Sequence, residues 1–207
     1  MSLRTPIISR DRVISLSNVG TTPAVTAATG VGASPFPGVY VSEEAGEGLL
    51  RMTKISFVAA AFPMGDGTSH ASYLGQTIYK FPVGLVLEIG AVLDIVSCSS
   101  VGGATGLNTG AAFKIAVGSV TQVAAGTQAT TNVDHIASQS ATFTAFAAAA
   151  FTASRSTVVQ FGTASTGGSV YLNLGAASTE TTTTGADTVT ITGSYTFAWL
   201  LQGKTGQ

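Results

Sequence analysis

Apolar and polar residues alternate with a period of two along several stretches of this chain. The alternation is strongest over residues 76–98, QTIYKFPVGLVLEIGAVLDIVSC. Thr77, Ile78, Tyr79 and Phe81 favour a pleated surface, and Pro82 and Gly84 punctuate the run, so the segment predicts two strands joined as a hairpin at residues 82–84. In the second arm, Leu85, Leu87, Ile89, Ala91, Leu93 and Ile95 share one face, and Val86, Glu88, Gly90, Val92 and Asp94 share the other. The first face is wholly apolar. A strand with such a face needs a second sheet to cover it, which predicts a two-layer β domain.

Similar texture recurs on both sides of this segment. Residues 54–62, KISFVAAAF, read as a strand stopped by Pro63, and 113–118, FKIAVG, as another that ends on a glycine. Residues 158–162, 169–174 and 187–201 continue the pattern, with Gly193 marking a bulge in the last. Between them lie loops rich in Gly, Ser and Thr: 63–73, 99–110 and 175–186. Residues 142–154, TFTAFAAAAFTAS, break the alternation; Phe143, Phe146 and Ala150 fit a helical face, and the segment reads as a loop-like insertion with one helical turn. The total is roughly seven to nine short strands without a sustained helix. The predicted fold is therefore all-β, an antiparallel β-sandwich, jelly-roll-like in preference to immunoglobulin-like.

Residues 1–50 differ. They hold Pro6, Pro23, Pro35 and Pro37, many glycines and no sustained periodicity, so they read as a long extended N-terminal arm ahead of a sandwich domain over 51–207. Short pieces of the arm, 12–16 and 38–41, have the character of strands that pair with a partner. Its tip carries Arg4, Arg10 and Arg12, and Glu43, Glu44 and Glu47 follow at its junction with the domain.

Charge adds a second constraint. Only 9% of residues are charged, against about 25% in a typical soluble domain. A surface of Ala, Ser, Thr and Gly points to an assembly that covers much of it, or to a neutral outer coat. The net charge of -1 gives no global field to draw in nucleic acid or an anionic membrane. No apolar run approaches the roughly 18 residues of a membrane span, and residues 1–12, MSLRTPIISRDR, lack the apolar core of a signal peptide, so a product made and used in the cytoplasm is expected.

The chemistry-bearing residues are few. Cys98 alone cannot form an internal disulfide or a cysteine zinc cluster, and reads as a buried thiol near a strand end. His70 and His135 are the only histidines and read as exposed loop residues; there is no GxSxG elbow, and Asp134 and His135, adjacent in sequence, point to opposite sides. Glu88 and Asp94 share a predicted face about 20 Å apart, too far to cooperate as a glycosidase pair, and read as solvated strand positions. Asp66-Gly67 lacks the later acidic ligands of a calcium loop, and 102–110, GGATGLNTG, lacks the lysine of a phosphate loop. No catalytic residue, metal or cofactor is expected, and the chain does not read as an enzyme.

The stretches IYKFPVGLVLEIGAVLDIVS, AAFKIAVGS and GGSVYLNLGAAS…DTVTITGSYTFAWLL together resemble the capsid decoration, or cement, proteins of tailed bacteriophages. The resemblance covers residues 51–201 in pieces and lies in strand-and-glycine texture. It implies a jelly-roll-like sandwich, a place on the outer surface of the virion head, and a partner in the major capsid protein, whose subunits it would staple. It also implies many copies, with self-association as a trimer favoured over a dimer. The arm could reach far across a shell at up to about 3.3 Å per residue and add strands to neighbouring sheet edges. On this reading Arg4, Arg10, Arg12, Phe36 and Tyr40 are the expected capsid contacts, and deleting residues 2–40 would abolish attachment without unfolding the sandwich. A head-fibre or tail component is the alternative, as is a glycan-binding surface module using Asp66, His70 and Tyr73.

Overall fold

A computed structural model describes residues 37–45, 50–64, 73–81, 84–101, 112–122, 128, 134–142, 147–148, 150–161, 168–176 and 188–202. These residues form two antiparallel sheets. The larger sheet contains β1 (Val39–Ala45), β2 (Leu50–Pro63), β11 (Thr188–Gln202) and β4 (Leu85–Val101) side by side in that order. Three short strands, β9 (Val159–Phe161), β8 (Phe151–Arg155) and β7 (Ala147–Ala148), pair in succession along the far edge of β4. The smaller sheet runs β3 (Tyr73–Lys80), β10 (Ser169–Ala176), β5 (Ala112–Gly118), β6 (Ile136–Thr142).

Three expectations are corrected by this pairing. Residues 76–98 do not form a hairpin: β3 lies in the smaller sheet and β4 in the larger. β4 is already paired on both edges, by β11 on one side and by β7, β8 and β9 on the other, which leaves no ladder for β3 to join. Phe81, buried at the crossing, donates its backbone N–H to the Gly168 carbonyl at 2.8 Å, so the chain changes sheets there. Within the stretch read as a loop-like insertion, residues 147–148 and 151–154 are strands, because the long open edge of β4 pairs the backbone N–H and C=O groups of β7 and β8 despite their alanine content; Phe143 and Phe146, on which the helical turn was read, lie outside the described residues. The sheet also begins inside the stretch read as the arm, since β1 pairs along its whole length with β2.

β11 is the regular strand of the larger sheet. Val189, Ile191, Tyr195, Phe197 and Trp199 all point inward in strict alternation and are buried. Its two neighbours are not regular. Register shifts fall beside Gly193, where Val58 and Ala59 together oppose Thr192, one residue more than β11 supplies, and Val96 is the extra residue on β4; a further shift leaves Ile89 as an extra residue on β4. Each extra residue exchanges the inward and outward faces of the strand. On β4 the inward set is therefore Val86 and Glu88, then Ala91, Leu93 and Ile95, then Cys98. Of the apolar face read from the sequence, Ala91, Leu93 and Ile95 point inward, whereas Leu85 and Leu87 fall on the outward side. Ala59 sits at φ 47°, and its N–H is taken by the Thr192 hydroxyl at 3.2 Å, which satisfies the donor that the bulge removes from the ladder.

The inward faces of the two sheets meet in one core. Tyr79 and Phe81, from the smaller-sheet side, pack edge-to-face on Phe197 at 5.3 and 5.6 Å, and Phe81 also meets Trp199 at 5.4 Å. Val170, Leu172 and Leu174 of β10 and Ile115 and Val117 of β5 complete the opposing wall. The indole N–H of Trp199 donates to the Thr53 hydroxyl at 2.9 Å, and the Arg51 guanidinium lies over the ring at 5.4 Å. Each edge-to-face contact of this kind contributes about 0.5–1.5 kcal/mol beyond the area it buries.

The smaller sheet carries a strap on its outward face. Asn173 faces away from the core between Leu172 and Leu174, yet it is fully buried. Its amide accepts from the Gln122 backbone N–H at 2.9 Å and donates to the Val120 carbonyl at 3.0 Å. The Thr121 hydroxyl donates to the Gly75 carbonyl at 3.0 Å, and a Cβ at Gly75 would lie 2.5 Å from the Gln122 nitrogen. Glycine at position 75 is what lets residues 119–122 lie flat on the sheet.

Candidate functional site

Among the described residues, four side chains with acid–base chemistry gather between the sheets. Glu88 points inward from β4, Tyr195 from β11 and Arg155 from the end of β8, while His135 arrives from the opposite layer, just ahead of β6, with its backbone N–H on the Val117 carbonyl at 3.1 Å. Glu88, His135 and Tyr195 are 0% exposed. This corrects the readings of Glu88 as a solvated strand position and of His135 as an exposed loop residue. Ile89 is the physical reason for the first: by adding one residue to β4 it turns Glu88 to the same side as Leu93 and Ile95.

Both carboxylate oxygens of Glu88 are engaged. Oε1 takes an N–H from Arg155 Nη2 in an ion pair. Oε2 lies 2.6 Å from His135 Nδ1 and 3.4 Å from the Tyr195 hydroxyl. A carboxylate paired with arginine has only lone pairs to offer, so Nδ1 carries the hydrogen and donates. Arg155 extends the network further, donating Nε to the His135 carbonyl and Nη1 to the Thr157 carbonyl, each at 2.7 Å. Phe81 stacks on the imidazole at 6.5 Å between centroids with the planes 12° apart. Burial, and then the facing Glu88 carboxylate, push the Tyr195 phenol well above its ordinary value of 10.0 and hold it neutral.

Chemically this is a brace. One carboxylate on the larger sheet is held by groups from β8, from β11 and from the smaller sheet, and every partner except the rim of Arg155 is closed to solvent. A reacting molecule would have to displace Phe81 and the sheet contacts to reach it. The remaining chemistry is dispersed. Asp94, on the opposite face of β4 from Glu88, accepts from the Thr152 hydroxyl at 2.8 Å. Asp134 takes the Ser119 backbone N–H at 2.7 Å and the Ser119 hydroxyl at 2.5 Å, closing the loop between β5 and β6. Cys98 is buried in β4, and burial pushes its thiol up to about 12. Among the described residues no three or more His, Cys, Asp or Glu side chains converge as metal ligands.

Of the residues read as capsid contacts, Tyr40 lies on the outward face of β1, half-buried and opposite Ser56. Arg4, Arg10, Arg12 and Phe36 fall outside the described residues, as do Asp66 and His70. The Glu88 network was missed by sequence reasoning, and the signal for it was Gly90. A glycine inside a long strand marks a bulge, and a bulge there places Glu88 inside. No family model, curated protein or solved structure matches this chain.

Proposed function

We propose that this chain is a structural virion protein that binds the outer surface of a tailed-phage head and steadies the contacts between major capsid subunits. The observation that carries the reading is where its polar chemistry lies. Glu88, His135 and Tyr195 are spent on joining one sheet to the other, while the outward face of the larger sheet is nearly uncharged, built from Ser56, Thr190, Ser194, Thr196 and scattered aliphatics. A body of this kind offers rigidity and area rather than a reactive cleft. Weak single contacts repeated over many copies are enough to hold it on a lattice.

The strand order supports reading the sandwich as a jelly roll. β2, β11, β4 and then β8 with β9 form one sheet, and β3, β10, β5, β6 form the other. The chain passes between the layers from β2 to β3, β3 to β4, β4 to β5, β6 to β7, β9 to β10 and β10 to β11, the crossings of a doubled Greek key. The test is to mix the purified protein with mature, undecorated heads, and to measure co-sedimentation and lattice occupancy by cryo-electron microscopy. Saturable occupancy of fixed lattice positions, with a shell more resistant to heat, is the expected result; absence of binding refutes the reading. A truncation that probes the arm should remove residues 2–36 and not 2–40, because Val39 is part of the core and the Gly38 carbonyl holds the Val58 N–H at 2.8 Å. Full occupancy by that truncated protein would remove the arm from attachment.

A further inference from the structure

The outward face of the larger sheet is apolar at one end. The register sets Leu50, Leu200 and Leu87 side by side on β2, β11 and β4, and the next row is Met52, Ala198 and Gly90. Val92 follows on β4, level with Thr196 on β11 and Lys54 on β2. Leu50, Met52 and Val92 are 41, 44 and 41% exposed. Large side chains in adjacent rows of one face form a continuous patch, since neighbouring strands lie about 4.8 Å apart. A continuous exposed patch marks an interface.

The charges at its border say what covers it. Lys54, exposed on β2, and Asp94, on β4 one outward position beyond Val92, flank β11 on opposite sides. We propose that a second copy of this chain packs on this face, about a two-fold axis that runs parallel to β11 in the plane between the two copies. That axis lays β2 of one copy over β4 of the other. Leu200 and Ala198 then meet their own equivalents at the centre, Met52 and Leu50 cover the β4 side of the partner, and Lys54 reaches the partner's Asp94. The reciprocal pair forms on the other side of the axis, as an isologous interface requires. One cation and one carboxylate, set on either side of a neutral strip, make the face complementary to itself. A face-to-face pair of sheets aligned within about 30° is also a stable way to bury two such surfaces. A two-fold pair departs from the trimer expected from the sequence.

Sedimentation velocity on the full chain, without heads, tests this independently of capsid attachment. The expected result is a dimer at about 100 µM that dissociates on dilution, with Val92→Lys and Met52→Lys each weakening it by about tenfold or more. Both positions face outward, so circular dichroism of either variant should match the parent, and Met52→Lys serves if Val92→Lys does not fold. Lys54→Asp and Asp94→Lys should each weaken the dimer, and the double variant Lys54→Asp/Asp94→Lys should recover it, because the exchanged charges still meet across the axis. A monomer at that concentration, a trimer, or a dimer indifferent to Val92→Lys and Met52→Lys overturns the proposal. Failure of the double variant to recover overturns the two-fold arrangement.

Discussion

Glu88 holds a place that an apolar residue would fill in an ordinary sandwich core. A buried carboxylate is tolerable only when both oxygens are engaged, and here Arg155, His135 and Tyr195 engage them. Removing the carboxylate strands the arginine, while removing the arginine strands a charge with no water. Glu88→Ala and Arg155→Ala should each lower stability by about 3–5 kcal/mol in urea unfolding. The double variant should lose much less than their sum, because the two residues act as one unit. Additive losses would show that the pair is not coupled. Little of this was legible in the sequence, since its parts stand far apart at positions 88, 135, 155 and 195 and form no motif. Cys98 was easier to place, a small apolar side chain near the end of a strand.

At the level of the strand, the sequence located β2, β5, β10 and β11 well, but alternation lost the inward face beyond Phe57 on β2, where Ala60 and not Ala59 is buried, and misjudged β4. A period of two identifies a strand, but it cannot say where one extra residue interrupts the count. β11 kept its alternation because it is the strand without insertions, and the shifts fall on the strands beside it. Gly193 was expected to be a bulge; it is the residue that makes room for the bulges of its neighbours. A Cβ there would lie 2.2 Å from the Asp94 carbonyl oxygen and 3.0 Å from the Ile95 Cα, both backbone atoms of β4. Gly193→Ala must therefore push β4 away. We expect it to cost about 1–3 kcal/mol, read as a lowered urea midpoint with unchanged slope. An unaltered midpoint would show that β4 yields freely. The strands β7 and β8 were illegible for another reason: they are stabilised by the distant edge of β4, Cys98 pairing with Ala148 and Ala91 with Arg155, and not by their own residues.

For the molecule as a whole, the two-layer architecture followed from apolar faces that needed cover, whereas the assignment of β3 and β4 to different layers depended on which edges were already taken. The shared core also sets the alkaline limit of stability. Cys98 is raised from 9.0 to about 12 and Tyr195 is raised well above 10.0, both by burial first. A folded state that keeps protons which the unfolded chain gives up is stabilised in full below about pH 9 and loses that stabilisation as pH climbs through and beyond 10. Thermal midpoints should fall steeply over that range, and Cys98→Ala should flatten the part of the fall between about pH 9 and 12; the same curve for parent and variant would exclude the thiol. One consequence of the pairing order is mechanical. The described chain enters the larger sheet at Val39 and leaves it at Gln202, on strands that run in the same direction with β2 antiparallel between them. Tension applied through these two points pulls β1 and β11 in opposite senses along their length, so the ladder hydrogen bonds bear load all together instead of parting one by one. A fold wired in this way resists stretching from its ends far better than peeling from its sides.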